Sequence, residues 1–174
     1  VENLLSVTRI ENGAMAIQKQ PELLEEVFQE ALAHLDRKAS EHTISVQLPD
    51  DLLMADMDAR LNVPEVINIV NNAIKYTPPG SHIQLSARRQ GDNILVEVAD
   101  DGPGIPDEAK AKLFEMFYTA GNDRGDSRRG MGLGLSLCKS IIHAHGGEIH
   151  VRDNLPKGCR FTFTLHSSEV NPHE

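Results

Sequence analysis

The chain contains no tryptophan, and phenylalanine and tyrosine make up only 4% of its 174 residues. Hydrophobic residues still account for 40%, so we expect one full core built mainly from aliphatic side chains. Its only cysteines, Cys138 and Cys159, favour a reducing compartment over a disulfide framework. The sequence has no apolar run near the roughly 20 residues of a membrane span and no signal peptide. It begins in mid-pattern at Val1, so we expect a fragment of a larger protein.

Basic residues are also scarce. Seventeen lysines and arginines stand against 26 acidic residues, for a formal net charge of −9. Nucleic-acid binding requires a basic face for the phosphates, so this balance argues against a nucleic-acid partner. A polyanion that binds here must be held locally, by backbone amides, a metal ion or a few side chains.

Helices and strands are mixed along the chain without strict βαβ alternation. Helical patterns begin at Pro21, fading near Ala39, and run from Asp58 to Tyr76. Alternating patterns and short runs predict the strands 15–18, 43–48, 53–55, 82–88, 93–99, 148–152 and 160–165. Shorter helices are expected over 108–114 and after the glycines at 130–134. This order predicts an α+β fold, a two-layer α/β sandwich.

The first segment with chemical potential lies near the end of the second helix. Asn68, Asn72, Lys75 and Tyr76 share one helical face, while Val66, Val70 and Ala73 line another face suited to the core. Amide oxygens and an ammonium on one stripe can hold a hydrated Mg²⁺ and a phosphate. The alternative is a solvated polar face. Three asparagines within five residues weaken that alternative, because asparagine is a poor helix former.

The second segment is the glycine-bearing loop Asp100–Ile105, directly after a strand. Its glycines allow a flat ligand to approach the backbone, and a carboxylate at the strand end can accept a hydrogen bond from an exocyclic amine. Alternation along the strand would put Asp100 on the buried face, although spacing leaves open whether Asp100 or Asp101 points inward. The alternative is an ordinary turn.

The third segment is a second glycine loop, Gly130–Gly134, at the start of a helix, where free amides favour anions. Its Gly-x-Gly-x-Gly order is not the dinucleotide fingerprint, and Met131-Gly132 stands where a P-loop needs Lys-Ser/Thr. The histidines are scattered, and His143 and His145, two apart on a helix, cannot share a metal ion.

Together, in this order, the segments resemble the Bergerat-fold ATPases and, within them, the sensor histidine kinases. Asn68–Tyr76 resembles the N box, Asp100–Ile105 the first glycine box, Leu113–Tyr118 the F box and Gly130–Leu135 the second glycine box. The motifs His145–Ile149 and Gly158–Phe163 are similar to the family's closing helix–strand and last strand. Residues 2–13 look like the end of a dimerisation helix, and the pattern is similar to Kdp-type potassium sensors.

The resemblance implies a mixed, mostly antiparallel sheet covered by helices on one face, with ATP and Mg²⁺ as cofactors. It implies catalytic roles for Asn68, Asn72 and Lys75, with Asn72 as the metal ligand. It also implies a set of nucleotide-binding residues, namely Tyr76, Asp100, Gly102, Gly104, Ile105, Gly130, Gly132, Leu133 and Gly134. Residues 119–129 would form a mobile lid over the nucleotide.

The chain departs from the family at several positions. Thr119 follows Phe117-Tyr118 where the family commonly has arginine, so we expect a phosphate or interface contact to have moved to Arg124, Arg128 or Arg129. Cys159 replaces a frequent threonine, which puts any hydroxyl contact there in doubt. No His-Glu-x-x-x-Pro phosphoacceptor segment is present.

The resemblance therefore predicts a catalytic domain over 14–166, preceded by a helix remnant at 1–13 and followed by a frayed tail at 167–174. It would pass the ATP γ-phosphoryl to a histidine on a separate dimerisation domain, for relay to a response regulator. The parent would be a membrane-bound homodimer with this domain in the cytoplasm. The rivals are a nucleotide-binding regulator, an anti-sigma serine kinase, and a gyrase-, MutL- or Hsp90-type ATPase, for which Glu65 is the only nearby water-activating carboxylate.

Overall fold

The computed structural model describes residues 16–35, 37–110, 112–115 and 134–168. The helices there are α1 (Leu24–Leu32), α2 (Ala59–Lys75), α3 (Asp107–Lys110) and α4 (Gly134–Ala144), with a 3₁₀ turn at Arg37–Glu41. The strands are β1 (Gln20–Leu23), β2 (Thr43–Gln47), β3 (Met54–Met57), β4 (His82–Gln90), β5 (Asn93–Asp100), β6 (Ile149–Asp153) and β7 (Cys159–His166). None of the helices in these ranges is both long and apolar enough to cross a membrane.

The main sheet has five strands in the order β2-β4-β5-β7-β6. Strand β2 runs parallel to β4, and the other three pairings are antiparallel. Strands β1 and β3 form a separate antiparallel pair. The predicted α+β fold with a mixed, mostly antiparallel sheet is therefore confirmed.

One aliphatic core fills the space between the sheet and the helices. Alternate residues of β5, from Ile94 to Asp100, are buried, and the residues between them are half-buried. Helix α1 contributes Phe28, and α4 contributes Cys138 and Ile142 to the same cluster. Helix α2 supplies the largest share, namely Val63, Val66, Ile69, Val70, Ala73 and Ile74. The helix that carries the asparagine stripe is thus fixed along its whole length by its opposite face.

Local signals set the ends of α2. The Asp58 side chain caps its first turn by accepting from the Arg60 backbone N–H. The helix ends at Lys75, two residues before Thr77-Pro78, because the residue before proline disfavours helical backbone. Pro64 lies inside the helix, beyond the first turn where a proline is best tolerated.

Several predicted boundaries differ from the structure. Pro21 does not begin a helix, because Gln20–Leu23 pairs with Met54–Met57 and the helix starts at Leu24. The predicted frayed tail is wrong for its first two residues, since the backbone N–H groups of Ser167 and Ser168 donate to Asp92 O and Met54 O. The predicted helix remnant at 1–13 and the rest of the tail lie outside the described residues.

Candidate functional site

The structure brings the loop after β5 and Gly134, the last residue of the second glycine loop, against helix α2 at different heights. A Cβ added at Gly134, the first residue of α4, would lie 4.0 Å from Asn68 Cγ, near the middle of α2. A Cβ added at Gly102 would lie 2.5 Å from Thr77 Cγ2, just after the end of α2. The space beside the asparagine stripe is therefore bounded by α4 on one side and by the loop after β5 on the other.

Asp100 is the buried carboxylate of this region, as strand alternation predicted. Its side chain is 6% exposed, and Oδ1 accepts from the backbone N–H groups of Gly102 at 2.9 Å and Cys159 at 3.2 Å. Burial raises the pKa of Asp100, and these two N–H donors oppose the shift. No described residue donates to the second oxygen, Oδ2. One oxygen is thus anchored, and the other can accept a hydrogen bond from a ligand.

The neighbouring Asp101 has a different role. It is 43% exposed, and its carboxylate accepts from the His82 backbone N–H at 2.7 Å and lies 3.1 Å from the His82 ring. These contacts lower the pKa of Asp101. Asp101 therefore ties the loop to the start of β4 and does not face the region occupied by Asp100.

The loop between β6 and β7 encloses the backbone of Asp100. Asn154 Nδ2 donates to Asp100 O at 2.7 Å. Gly158, at φ 110°, approaches so closely that an added Cβ would lie 1.9 Å from Asp100 O. Gly104, at φ 84°, packs on Gly158 in turn, with 3.3 Å from its added Cβ to Gly158 O. Glycine is needed at both positions, because the backbone has a positive φ and a side chain would have no room.

Cys159, which follows Gly158, is buried, and burial raises the pKa of its thiol to about 12, with Asp100 as the second cause. The thiol therefore stays protonated beside Asp100. A weak S–H donor therefore lies near Asp100.

The predicted asparagine stripe lies on the half-exposed face of α2. Asn68, Asn72, Lys75 and Tyr76 are all partly exposed, opposite the buried aliphatic face. Lys75 Nζ lies 5.0 Å from the centroid of the Tyr76 ring, within cation–π range. The structure therefore presents two amides, an ammonium and an aromatic ring along one edge of the region that leads to Asp100.

The donor set suits Mg²⁺ better than a transition metal. The described residues contain no group of three or more His, Cys, Asp or Glu side chains that could hold a metal ion. A divalent cation beside α2 would be held by amide oxygens together with phosphate oxygens and water, and Mg²⁺ accepts such a mixed oxygen shell. Asn72 and Asn68 fit that requirement.

Several predicted residues lie outside the described part of the chain. These are Gly130, Gly132 and Leu133 of the second glycine box, the proposed lid 119–129, and Phe117 and Tyr118 of the F box. The described part of the F box is packed into the core: Leu113 is buried, and the Phe114 ring meets Phe161 edge to face at 6.2 Å. Ile105 packs against the same core cluster.

Glu65 is not placed to activate water. Its side chain is fully buried on the core face of α2, where Oε1 accepts from Asn62 Nδ2 at 2.9 Å. Burial raises its pKa to about 8. The only carboxylate that the sequence offered for a gyrase-type mechanism lies one helical turn before Asn68, but it is fully buried and bonded to Asn62.

Sequence inspection missed the residues that hold Asp100 in place. Gly158 begins the motif assigned to the last strand, and a glycine at that position is a sequence signal for a close contact between backbones. Asn154 and Thr77 carry no local signal, because their contacts bridge more than 20 residues of chain.

Comparison with known proteins agrees with this geometry. Residues 65–169 match the family described as histidine kinase-, DNA gyrase B-, and HSP90-like ATPase. The sensor protein KdpD of Clostridium acetobutylicum is 39% identical over 165 residues, which make up 95% of this chain and 18% of that protein. The chain thus spans less than a fifth of that relative.

Two solved structures extend the comparison. The catalytic domain of the histidine kinase ThkA is 28% identical, with a TM-score of 0.74 over 86% of this chain and 95% of that domain. ThkA in complex with the response regulator protein TrrA is 25% identical, with a TM-score of 0.74 over 96% of this chain and 48% of the ThkA chain. The chain therefore belongs to the histidine kinase-, DNA gyrase B-, and HSP90-like ATPase family and has the fold of a sensor histidine kinase catalytic domain.

Proposed function

We propose that the chain binds Mg-ATP and donates the γ-phosphoryl group to a histidine of a dimerisation domain in the same kinase. The observation that carries this proposal is the state of Asp100. It is buried at the end of β5, with one oxygen anchored by two backbone amides and the other free of any donor among the described residues. An oxygen of this kind, without a donor on a largely buried carboxylate, can accept a hydrogen bond from the exocyclic amine of adenine.

The adenine would lie beside Asp100, against the loop that follows β5. Gly102 and Gly104 let the loop pack closely on the protein, because an added Cβ would meet Thr77 at Gly102 and Gly158 at Gly104. Ile105 and Tyr76 supply apolar and aromatic surface beside it. Together these residues would select an amino-bearing purine.

The phosphate end lies along α2. Asn72 would provide an oxygen ligand to Mg²⁺ with Asn68 close by, and Lys75 would contact a phosphate. The backbone N–H groups of Gly130, Gly132, Leu133 and Gly134 would donate hydrogen bonds to the remaining phosphate oxygens. A chain of net charge −9 needs such local neutralisation. The bound Mg²⁺ would neutralise phosphate charge, and the chain's own residues would contribute positioning.

The phosphoryl acceptor has to come from outside this sequence, because the chain has no His-Glu-x-x-x-Pro segment. We propose that the acceptor domain belongs to a longer, membrane-bound, homodimeric sensor of the Kdp type, with this domain in the cytoplasm. The similarity to the sensor protein KdpD, of which the chain spans 18%, supports a longer sensor protein. The solved complex of ThkA with the response regulator protein TrrA supports a response regulator as a partner.

Calorimetric titration of a non-hydrolysable ATP analogue, with and without Mg²⁺, tests the binding step. We expect Mg-dependent binding that Asn72→Ala abolishes and that Asn93→Ala retains. Asn93 is a matched control because it lies at the opposite end of β5 from Asp100. Asp100→Asn should weaken binding by about 10- to 100-fold, because it presents an amide donor to the base amine. Asp101→Asn, on an exposed side chain, should bind normally.

Phosphotransfer is tested separately with labelled ATP and a purified histidine-bearing dimerisation domain. Label on the added histidine, lost in Asn72→Ala, is the expected result. Binding without transfer would favour the nucleotide-binding regulator. An absence of binding by the folded chain would remove the nucleotide function altogether.

A further inference from the structure

A pair of polar side chains lies buried inside the core face of α2. Asn62 is 1% exposed and Glu65 is fully buried, one helical turn apart. Asn62 Nδ2 donates to Glu65 Oε1 at 2.9 Å. The other oxygen of each side chain, Asn62 Oδ1 and Glu65 Oε2, is buried and has no hydrogen-bond partner among the described residues.

The unpartnered atoms are both acceptors, and they belong to the two side chains that are already joined. A buried acceptor without a donor is costly, and a buried carboxylate without a countercharge is more costly still. No cation among the described residues acts on Glu65, whose only polar partner is Asn62. A single proton on Glu65 Oε2 would remove the charge and supply the missing donor.

We propose that Glu65 is held as a neutral carboxylic acid that closes a two-bond ring with Asn62. In this ring the amide N–H of Asn62 donates to Oε1, and the acid O–H donates from Oε2 to Asn62 Oδ1. The ring accounts for both unpartnered atoms with one proton. It concerns the folded chain alone, so it stands or falls independently of nucleotide binding.

The ring lies where α2 meets α4. Cys138 Sγ, from α4, donates to the backbone oxygen of Glu65 at 3.5 Å. Cys138 is also the titratable group that faces Glu65 across this contact, and burial raises the pKa of its thiol well above the usual value. The thiol therefore remains a neutral donor, and no other described residue adds charge to the pair.

Ionisation of Glu65 makes the fold pH-sensitive on the alkaline side. Burial raises the pKa of Glu65 from 4.5 to about 8. Between these values the folded chain keeps the proton and the unfolded chain releases it. The stabilisation is therefore complete below pH 4.5, declines as the pH rises, and is lost once the pH passes about 8.

Glu65→Gln tests the ring directly, because glutamine preserves both hydrogen bonds but cannot ionise. We expect the thermal midpoint of Glu65→Gln to exceed that of the natural chain by an amount that grows from pH 4.5 to about 8 and is constant above. Glu148→Gln, on a side chain that is 75% exposed, is the matched control and should show no such divergence. Parallel pH curves for Glu65→Gln and the natural chain would overturn the proposal.

Infrared spectroscopy of the natural chain gives an independent test that does not depend on a variant folding. A neutral Glu65 should show the carbonyl band of a protonated carboxylic acid at neutral pH, and the band should disappear as the pH rises through about 8. Where Glu65→Gln folds, it should lack this band. A spectrum without an acid band at neutral pH would mean an ionised carboxylate, with water on the two oxygens, and would overturn the ring.

Discussion

Gly158 shows how a single residue without a side chain can determine the geometry of a carboxylate. Its backbone crosses directly over Asp100, whose main-chain oxygen would lie 1.9 Å from an added Cβ and whose Oδ1 would lie 3.0 Å away. The next residue, Cys159, donates its N–H to the same carboxylate. Any displacement of Gly158 therefore changes both the packing against Asp100 and the hydrogen bond from the Cys159 N–H to its carboxylate.

Gly158→Ala should combine backbone strain with a steric collision, and Gly91→Ala separates the two effects. Gly91 also has a positive φ, 63°, but nothing lies within 4 Å of its added Cβ. We expect Gly91→Ala to lower the free energy of unfolding by about 1 kcal/mol with unchanged affinity for the ATP analogue. Gly158→Ala should cost about 2–3 kcal/mol or more and weaken affinity at least about tenfold. Denaturant unfolding and calorimetry measure the two quantities.

A Gly158→Ala variant that loses stability but binds the analogue normally would contradict the positioning of Asp100 by this loop.

At the residue scale, only part of the site could be predicted from the sequence. Alternation along β5 predicted the inward direction of Asp100, because each strand residue reverses sides. The burial of Glu65 was not predictable, since glutamate is rarely buried and its partner Asn62 carries no local signal.

At the scale of elements, His145 joins the end of α4 to the start of α2. Its ring is 1% exposed, with Nδ1 2.7 Å from Ile141 O and Nε2 3.0 Å from the Asp58 backbone N. Because the Asp58 N–H needs an acceptor, Nε2 is unprotonated and Nδ1 donates to Ile141. Asp58 in turn accepts from the Gln18 N–H, so the joint also fixes the segment that leads into β1.

Protonation of His145 in acid should break the hydrogen bond from the Asp58 N–H to Nε2. Burial lowers its pKa below 6.5; Lys19 acts in the same direction, while the Ile141 hydrogen bond and Asp58 oppose it. Below pH 6.5 the unfolded chain therefore binds a proton at His145 that the folded chain does not bind. The free energy of unfolding decreases as the pH is lowered. His145→Gln should be less stable by about 1–3 kcal/mol at neutral pH but should lose less on acidification. Denaturant titrations over this range measure both effects.

His143→Gln, an exposed position two residues earlier on α4, provides the control and should follow the natural chain at every pH. If the free energy of unfolding of His145→Gln falls as steeply in acid as that of the natural chain, His145 is not the group that causes the acid sensitivity.

The helices and strands were predictable from the sequence wherever the signals for their ends are local. Asp58 and Pro78 mark the ends of α2 in the sequence, whereas β1 was mistaken for the start of a helix because its partner β3 lies about 30 residues further on.

At the scale of the whole molecule, the strand order β2-β4-β5-β7-β6 was not derivable from alternation. Each strand has a recognisable period, but the choice of neighbours depends on contacts far apart in sequence. The ordered motifs supplied what the periods could not, through the family resemblance. The fold in turn explains why residues scattered from Asn68 to Gly134 adjoin one region: α2, β5 and α4 all pack on a single core cluster.

Because the proposed nucleotide residues come together only in the folded chain, Mg-ATP should stabilise the whole fold. At an analogue concentration about 100 times its dissociation constant, linkage adds about 2.7 kcal/mol to the free energy of unfolding. For a chain of this size that corresponds to a thermal midpoint about 5–10 °C higher. The increase should require Mg²⁺, disappear in Asn72→Ala and persist in Asn93→Ala. An equal increase with and without Mg²⁺ would show that the phosphates are held by amides and Lys75 alone, and would remove Asn72 from its role as metal ligand.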